Sequence, residues 1–173
     1  WINEEAGLKR RPNFCGCNPC GEILLDSHGL CNLTTVNVMA FVHDGALDEE
    51  GLLDAQRMSA RAGLRMTCRE LEMHRWNLVQ QRDRLLGCSL TGWQDMVNAV
   101  GLDRDGQIAL LEKLRAAAHE AAERMAVSLN LNAPLLVTTV KPEGTLSLLP
   151  TVSSGIHYSH SPYYIRRVRI SAS

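Results

Sequence analysis

The sequence predicts an α/β fold with parallel strands. Short apolar or β-branched runs alternate with amphipathic helical patterns in the order strand, helix, strand, helix, strand. A hydrophobic share of 45% against 21% charged residues is ordinary for a globular domain. Its 173 residues suffice for one domain, and no internal repeat or low-complexity tract divides it.

The elements follow in order. Residues 1–22 read as a loop. Ile23-Leu24-Leu25 is a short apolar run, as in a buried strand. The run from Leu33 to Val38 is β-branched and fits a strand or the start of a helix. Asp48 caps a helix opened by Glu49 and Glu50, whose charges suit the positive end of the dipole. Leu52, Ala55, Ser59, Ala62 and Met66 give that helix an apolar stripe. Residues 70–82 also suit a helix.

Leu85 to Leu90 reads as a short buried strand. Thr91 is positioned to cap a helix over 92–99 that stops near Gly101. The longest helix is expected at about 105–129, with Ile108, Leu111, Leu114, Ala118, Ala121, Met125 and Leu129 on its buried face; its Ala-rich middle has high helix propensity. After Pro134, the run from Leu135 to Val140 predicts a strand. Residues 141–145 form a turn, and Leu146 to Leu149 a short helix halted by Pro150. Tyr163 to Ile170 predicts a final strand.

A net charge of −1 gives no global pull toward nucleic acid or a membrane surface. No apolar run approaches the roughly 18 residues that cross a bilayer. Neither membrane nor nucleic acid is expected as a partner. Six cysteines without an export signal point to a reducing compartment, hence the cytoplasm. Cys68 and Cys88 lie among apolar residues and are expected in the core. The chain begins at Trp1, and it reads as a segment of a longer polypeptide.

The chemistry concentrates in Asn18-Pro19-Cys20-Gly21-Glu22, followed by Cys31-Asn32-Leu33. In an extended backbone Asn18, Cys20 and Glu22 share one side. A carboxylate beside a thiol disfavours thiolate. The pattern therefore suits a thiol that carries a hydrogen atom better than an ionic nucleophile. Glu22 is then free to act as a base on a substrate hydroxyl, and Cys31 to supply reducing equivalents with another thiol. Spacing alone equally admits a loop with a buried cysteine and an exposed glutamate.

Three other groups stand out. Cys15-x-Cys17-x-x-Cys20 has metal-ligand spacing, but no second Cys/His pair follows at zinc-ribbon spacing, so accessory thiols or small loop residues are the better reading. Pro142-Glu143-Gly144-Thr145-Leu146-Ser147 joins a strand end to a helix start, where free N–H groups bind anions. Glu143 would repel a phosphate and is expected to turn away. His157-Tyr158-Ser159-His160 with Tyr163, Tyr164, Arg166, Arg167 and Arg169 suits either phosphate and base binding or a charged, solvated strand edge. His43, His74 and His119 are isolated.

The Asn-Pro-Cys-Gly-Glu-Ile run, with Cys31-Asn32-Leu33 and Val36-Asn37, resembles the finger-loop region of a ribonucleotide reductase. Lys141-Pro142-Glu143-Gly144-Thr145-Leu146-Ser147 and Val152-Ser153-Ser154-Gly155-Ile156-His157 resemble its phosphate-loop region. Arg84-Leu85-Leu86-Gly87 with Gly92 resembles its Leu-Gly…Gly strand. The order agrees over nearly the whole chain. Pro19 and the run at 157–164 look most like the class II, adenosylcobalamin-dependent type that takes ribonucleoside triphosphates.

The resemblance implies that residues 1–173 are part of one catalytic domain, a ten-stranded α/β barrel. A finger loop at about 14–33 would thread it, with a phosphate-loop region at about 141–157. It implies a thiyl radical on Cys20 that takes the substrate 3′-hydrogen, Glu22 as acceptor of the 3′-hydroxyl proton, and Asn18 on the ribose hydroxyls. Cys31 becomes one of two reducing thiols, its partner upstream of Trp1. Pro142, Glu143, Gly144, Thr145, Leu146 and Ser147 form the substrate-phosphate loop. Adenosylcobalamin is the implied cofactor, thioredoxin or a similar dithiol protein the reductant, and a deoxynucleotide the effector, its site outside this segment. The segment alone is expected to be inactive. The alternatives are a class I diphosphate reductase large subunit and a non-enzymatic metal-binding module on Cys15, Cys17 and Cys20.

Overall fold

A computed structural model describes residues 16–161 together with 163, 165, 167, 169 and 170. Strands β1 (Gly16–Cys17) and β2 (Leu24–Leu25) form an antiparallel hairpin. Strand β3 (Asn32–Asn37) ends in a 3-10 turn at Val38–Phe41. Strands β4 (Val42–His43) and β5 (Ala46–Leu47) make a second small hairpin. Then come α1 (Glu49–Met66), α2 (His74–Asp83), β6 (Leu86–Thr91), α3 (Trp93–Val100) and α4 (Arg104–Ser128). A 3-10 turn at Leu146–Leu148 follows.

The centre is a parallel pair, β3 and β6, in the register Leu33↔Gly87 and Thr35↔Ser89. On the other side of β6 runs the extended segment 136–139. Leu86 N donates to the Leu136 carbonyl oxygen at 2.9 Å, and Thr139 N to the Cys88 carbonyl oxygen at 3.1 Å. The strand expected over 135–140 is thus reduced to one parallel bridge, Cys88 to Thr138. Strands β3 and β6 and the segment 136–139 run parallel as expected, whereas the expected strand at 23–25 pairs antiparallel in the first hairpin; the mixed α/β class holds. Every residue of β6 is buried, as expected of a parallel strand covered on both faces.

Alternation divides the sheet into two faces. Thr34, Val36, Cys88 and Leu90 point toward α1 and α4, where Ser59 Oγ donates to Thr34 Oγ1 at 2.7 Å. There Ala60, Leu64, Leu86, Cys88, Ala118, Ala122, Met125, Ala126 and Val137 form one core cluster. A second joins Val38, Leu52, Leu90, Trp93, Met96 and Leu114. Burying each Leu stabilises by roughly 2 kcal/mol. Cys31, Leu33, Thr35, Gly87, Ser89, Thr139 and Lys141 take the opposite face.

The helix faces are rotated from expectation. In α1 the buried residues are Leu52, Leu53, Gln56, Ser59, Ala60, Gly63 and Leu64, while Ala62 and Met66 are exposed. Gly63 sits against the Leu86 side chain, so the helix approaches the sheet where a small residue permits it. In α4 the face is Leu110, Leu114, Ala117, Ala118, Ala122, Met125 and Ala126, whereas Ile108 and Leu129 are exposed. The small alanines, and not the largest apolar residues, meet α1. Asp48 and Asp103 cap α1 and α4, accepting from Gly51 N at 3.0 Å and Gly106 N at 2.8 Å. Helix α2 starts later than expected, at His74.

Thr91 does not cap α3. It ends β6, and its hydroxyl donates to the Ser153 carbonyl oxygen at 3.0 Å. Gly92, at φ 76°, makes the bend that residues with a Cβ rarely adopt. The first N–H groups of α3 are taken by a loop: Gly92 N donates to Ser153 O at 2.8 Å and Trp93 N to Gly155 O at 3.3 Å. Cys68 is exposed, contrary to expectation, because it lies just past the end of α1; Cys88 is buried. The expected last strand, 163–170, falls partly outside the described residues. Tyr163, Ile165 and Ile170, which are described, are exposed and lie in no strand. No helix among the described residues is long and apolar enough to cross a membrane.

Candidate active site

The β1–β2 hairpin carries the Asn-Pro-Cys-Gly-Glu run in its loop. Gly21 N donates to the Asn18 carbonyl oxygen at 2.9 Å, closing a tight turn over Pro19 and Cys20. Gly21 takes φ 79°. The extended backbone expected here is therefore a turn, for which Pro followed by Gly two residues on is suited. Asn18 closes the loop from the other side, its N donating to Ile23 O at 3.1 Å. Its Oδ1 accepts from Ile23 N at 2.9 Å.

The turn separates the two reactive groups of the run. Cys20 is exposed. The Glu22 carboxylate points inward, and both its oxygens are buried with no hydrogen-bond partner among the described residues. A loop with a buried cysteine and an exposed glutamate is the reverse of this arrangement. A charged carboxylate buried without partners costs several kcal/mol. A buried polar group without a protein partner marks a place where strain, solvent or a bound group completes the structure.

The loop is fastened to the inner face of the sheet. Thr139 Oγ1 donates to the Glu22 carbonyl oxygen at 2.5 Å. Ile23, 2% exposed, covers Gly87. A Cβ at Gly87 would lie 2.5 Å from Leu33 Cδ2, 3.1 Å from Thr139 Cγ2 and 3.2 Å from Ile23 Cδ1. Only glycine lets three neighbours converge there.

Cys31 precedes β3 on the same inner face. Its thiol is pushed up from 9.0 to about 12, first by burial and next by the negative charge of Glu22; Lys141 opposes this, and Cys20 adds to it. Cys20, Glu22, Cys31 and Lys141 are thus electrostatic neighbours, although 110 residues separate Cys31 from Lys141 in sequence. A neutral thiol at Cys31 is the form this environment favours.

Glu143 is turned into the protein, as expected for a carboxylate that would repel an anion. Its side chain is fully buried against Thr35 Oγ1, which donates to it at 2.7 Å, and Lys141 Nζ, at 3.5 Å. Pro142, Gly144 and Ser147 line a cleft of about 870 Å³ with Asp95, Ser153, Ser154, His157, Tyr158 and His160. Ser147 Oγ is engaged by Ser154 Oγ at 2.9 Å. Thr145 and Leu146 are exposed. Among the described residues no group of three or more His, Cys, Asp or Glu side chains comes together to hold a metal; Cys15 lies outside them.

Sequence reasoning missed Thr35 and Thr139, and it gave Lys141 no role beyond opening the phosphate-loop motif. The signal was present as period two: Cys31-x-Leu33-x-Thr35 and Thr139-x-Lys141-x-Glu143 each place polar groups on one face of an extended segment.

No family model matches the sequence. Individual relatives do. A protein of Mycobacterium phage D29 named as an adenosylcobalamin-dependent ribonucleoside-triphosphate reductase is 36% identical over 92% of this chain and 24% of its own length. The Lactobacillus acidophilus reductase of the same name is 29% identical over 91% of this chain and 24% of its own. That of Euglena gracilis is 30% identical over 99% of this chain and 24% of its own. The chain spans about a quarter of the length of these relatives.

The crystal structure of a B12-dependent, class II ribonucleotide reductase superposes with a TM-score of 0.75 at 26% identity, over 85% of this chain and 23% of that one. The Actinobacillus ureae class Id reductase alpha subunit shares the fold, with a TM-score of 0.67 at 17% identity, over 94% of this chain and 36% of that one. Over about a quarter of their length, the chain is similar in sequence and in fold to ribonucleotide reductases. The three relatives are named adenosylcobalamin-dependent ribonucleoside-triphosphate reductases, and the first of the two solved structures is named as class II.

Proposed function

We propose that this chain carries the thiyl-radical loop of an adenosylcobalamin-dependent ribonucleotide reductase acting on ribonucleoside triphosphates. One observation carries the reading beyond the resemblance: a buried Glu22 carboxylate that has no hydrogen-bond partner among the described residues and acts by its charge on Cys31, next to the turn that exposes Cys20. In this reading the Cys20 sulfur takes the ribose 3′-hydrogen and later returns it. Glu22 accepts the 3′-hydroxyl proton, which helps the 2′-hydroxyl leave as water. Asn18, its Oδ1 committed to Ile23, offers its amide N–H groups to the ribose hydroxyls. Cys31, kept as a thiol, supplies a hydrogen and then joins a second cysteine in a disulfide. The cleft between 142–148 and 151–160 is sized for substrate phosphates.

Adenosylcobalamin, when bound, would supply the initiating radical. Cys20, at the turn between Pro19 and Gly21, is exposed and open to it, as is Cys17 in β1. The ten-stranded barrel, a dithiol-protein reductant, a deoxynucleotide effector and a cytoplasmic setting complete the proposal. The test is turnover by the full-length polypeptide containing this chain. Adenosylcobalamin-dependent conversion of a ribonucleoside triphosphate with a dithiol, without a second subunit, is expected. Turnover only with a separate radical-generating subunit overturns the class II assignment.

A further inference from the structure

The cleft between 142–148 and 151–160 contains a carboxylate, Asp95 from the first turn of α3. No lysine or arginine is among the described residues that line it. A free carboxylate there would repel an entering anion, so Asp95 is out of place unless its charge is engaged. The loop that builds the cleft engages it. Ser153 N donates to Asp95 Oδ2 at 2.6 Å, the short length of a hydrogen bond to a charged acceptor. In return, Asp95 N donates to Ser153 Oγ at 3.4 Å. Helix α3 and the loop thus cap each other across 58 positions of sequence, in the reciprocal pattern that a capping box makes within one helix.

Ser153 is held at its carbonyl as well. Gly92 N and the Thr91 hydroxyl both donate to Ser153 O, at 2.8 and 3.0 Å. Gly155 N donates to Thr91 Oγ1 at 3.3 Å, and Gln94 Nε2 to Ile156 O at 2.9 Å. The amide, carbonyl and hydroxyl of Ser153 are therefore all tied to the corner between β6 and α3. Ser154 follows directly. Its Oγ meets Ser147 Oγ at 2.9 Å, and Val152 N donates to Ser147 O at 3.0 Å. The Ser147 and Ser154 hydroxyls line the cleft, and the loop that carries them is set through Ser153. Asp95 is the charged member of this set of ties.

We propose that Asp95 is a positioning residue for the cleft. Its carboxylate fixes the Ser153 N–H, and with it the Ser147–Ser154 hydroxyl pair, in the geometry that receives the phosphate groups of the nucleotide. The proposal deepens the reductase reading and rests on it for the identity of the ligand. Asp95 takes no step in the reaction. The working feature is its acceptor oxygen, not its charge. Removing the charge while keeping the acceptor should preserve or tighten anion binding, whereas removing both should weaken it.

The test uses the full-length polypeptide containing this chain and inorganic tripolyphosphate as probe, with binding followed by titration calorimetry. Asp95→Ala should weaken tripolyphosphate binding by about tenfold, the scale of one lost hydrogen bond to a charged group. Asp95→Asn, whose amide oxygen still accepts from Ser153 N, should bind at the parent affinity or tighter. Hydrogen exchange at 152–156 should quicken in Asp95→Ala, while the parent rate in α1 and β6 shows the variant folded. Where Asp95→Ala loosens the whole domain, Asp95→Leu decides, because it fills the same volume without an acceptor. Unchanged affinity in the folded variant overturns the proposal, as does an equal loss in Asp95→Asn or a parent protein that binds no tripolyphosphate. Nucleotide reduction is read separately. The expected tripolyphosphate pattern in a protein that reduces no nucleotide leaves this inference standing and removes the functional reading. Reduction by a parent whose tripolyphosphate binding ignores Asp95 does the reverse.

Discussion

The Thr139 hydroxyl donates to the carbonyl oxygen of Glu22 across 117 positions of sequence. It is a direct tie between the reactive loop and the sheet. Thr139→Val should leave that carbonyl without its partner at a cost of about 1 kcal/mol. The loss should fall on the loop. Hydrogen exchange at Ile23 N should accelerate severalfold, while exchange in α1 and β6 stays at the parent rate. A uniform acceleration would show that the tie supports the whole domain.

Cys20→Ser in the full-length polypeptide should abolish nucleotide reduction while nucleotide binding is kept, because the turn at 18–21 is closed by backbone and Asn18 atoms and not by the sulfur. Glu22→Gln should lower kcat by 10²-fold or more, the usual scale of a lost general base. Appreciable turnover by Cys20→Ser, measured as product deoxynucleotide, would remove the radical role.

The cysteines should separate by reactivity. At pH 8 the exposed Cys17, Cys20 and Cys68 should be alkylated well before Cys31 and Cys88. Cys31 should begin to react only as pH climbs from 9.0 toward about 12. The sign for stability follows. A thiol whose folded pKa lies above its unfolded value stabilises fully below pH 9.0 and loses that contribution as pH rises toward about 12. Cys31→Ser should therefore flatten part of the alkaline fall in denaturation midpoint over that window.

Gly87→Ala should destabilise by roughly 1–3 kcal/mol, since its Cβ would press Leu33, Thr139 and Ile23 together. The displaced Ile23 would carry the loop with it. Urea denaturation and Cys31 alkylation should both change, whereas Asp48→Ala, at an exposed cap, should cost about 1 kcal/mol with Cys31 unaffected.

Helices were legible because their signals are local. Asp48 and Asp103 stand at caps, and Gly101 ends α3 at φ 67°. Which side of each helix is buried was less legible: Ala118, Ala122 and Gly63 decide it by allowing close approach, and small residues carry little hydropathy signal. The reactive loop was legible as a residue set, not as a shape. Pro19 and Gly21 select a turn that sends Cys20 and Glu22 in different directions. The Lys141–Glu143–Thr35 link was hidden because it joins positions 108 residues apart through a sheet register that only folding reveals.

The glycine at 87 has one more consequence. The helices α1 and α4 lie against the other side of the sheet, so the reactive hairpin rests through its Ile23 on the bare backbone of Gly87 and is tied to Thr139. It is cargo on a finished scaffold. On the proposed function, damage confined to the exposed turn at Cys20 would silence the chemistry while the buried Ile23 seat, the sheet and its two helices stay in place.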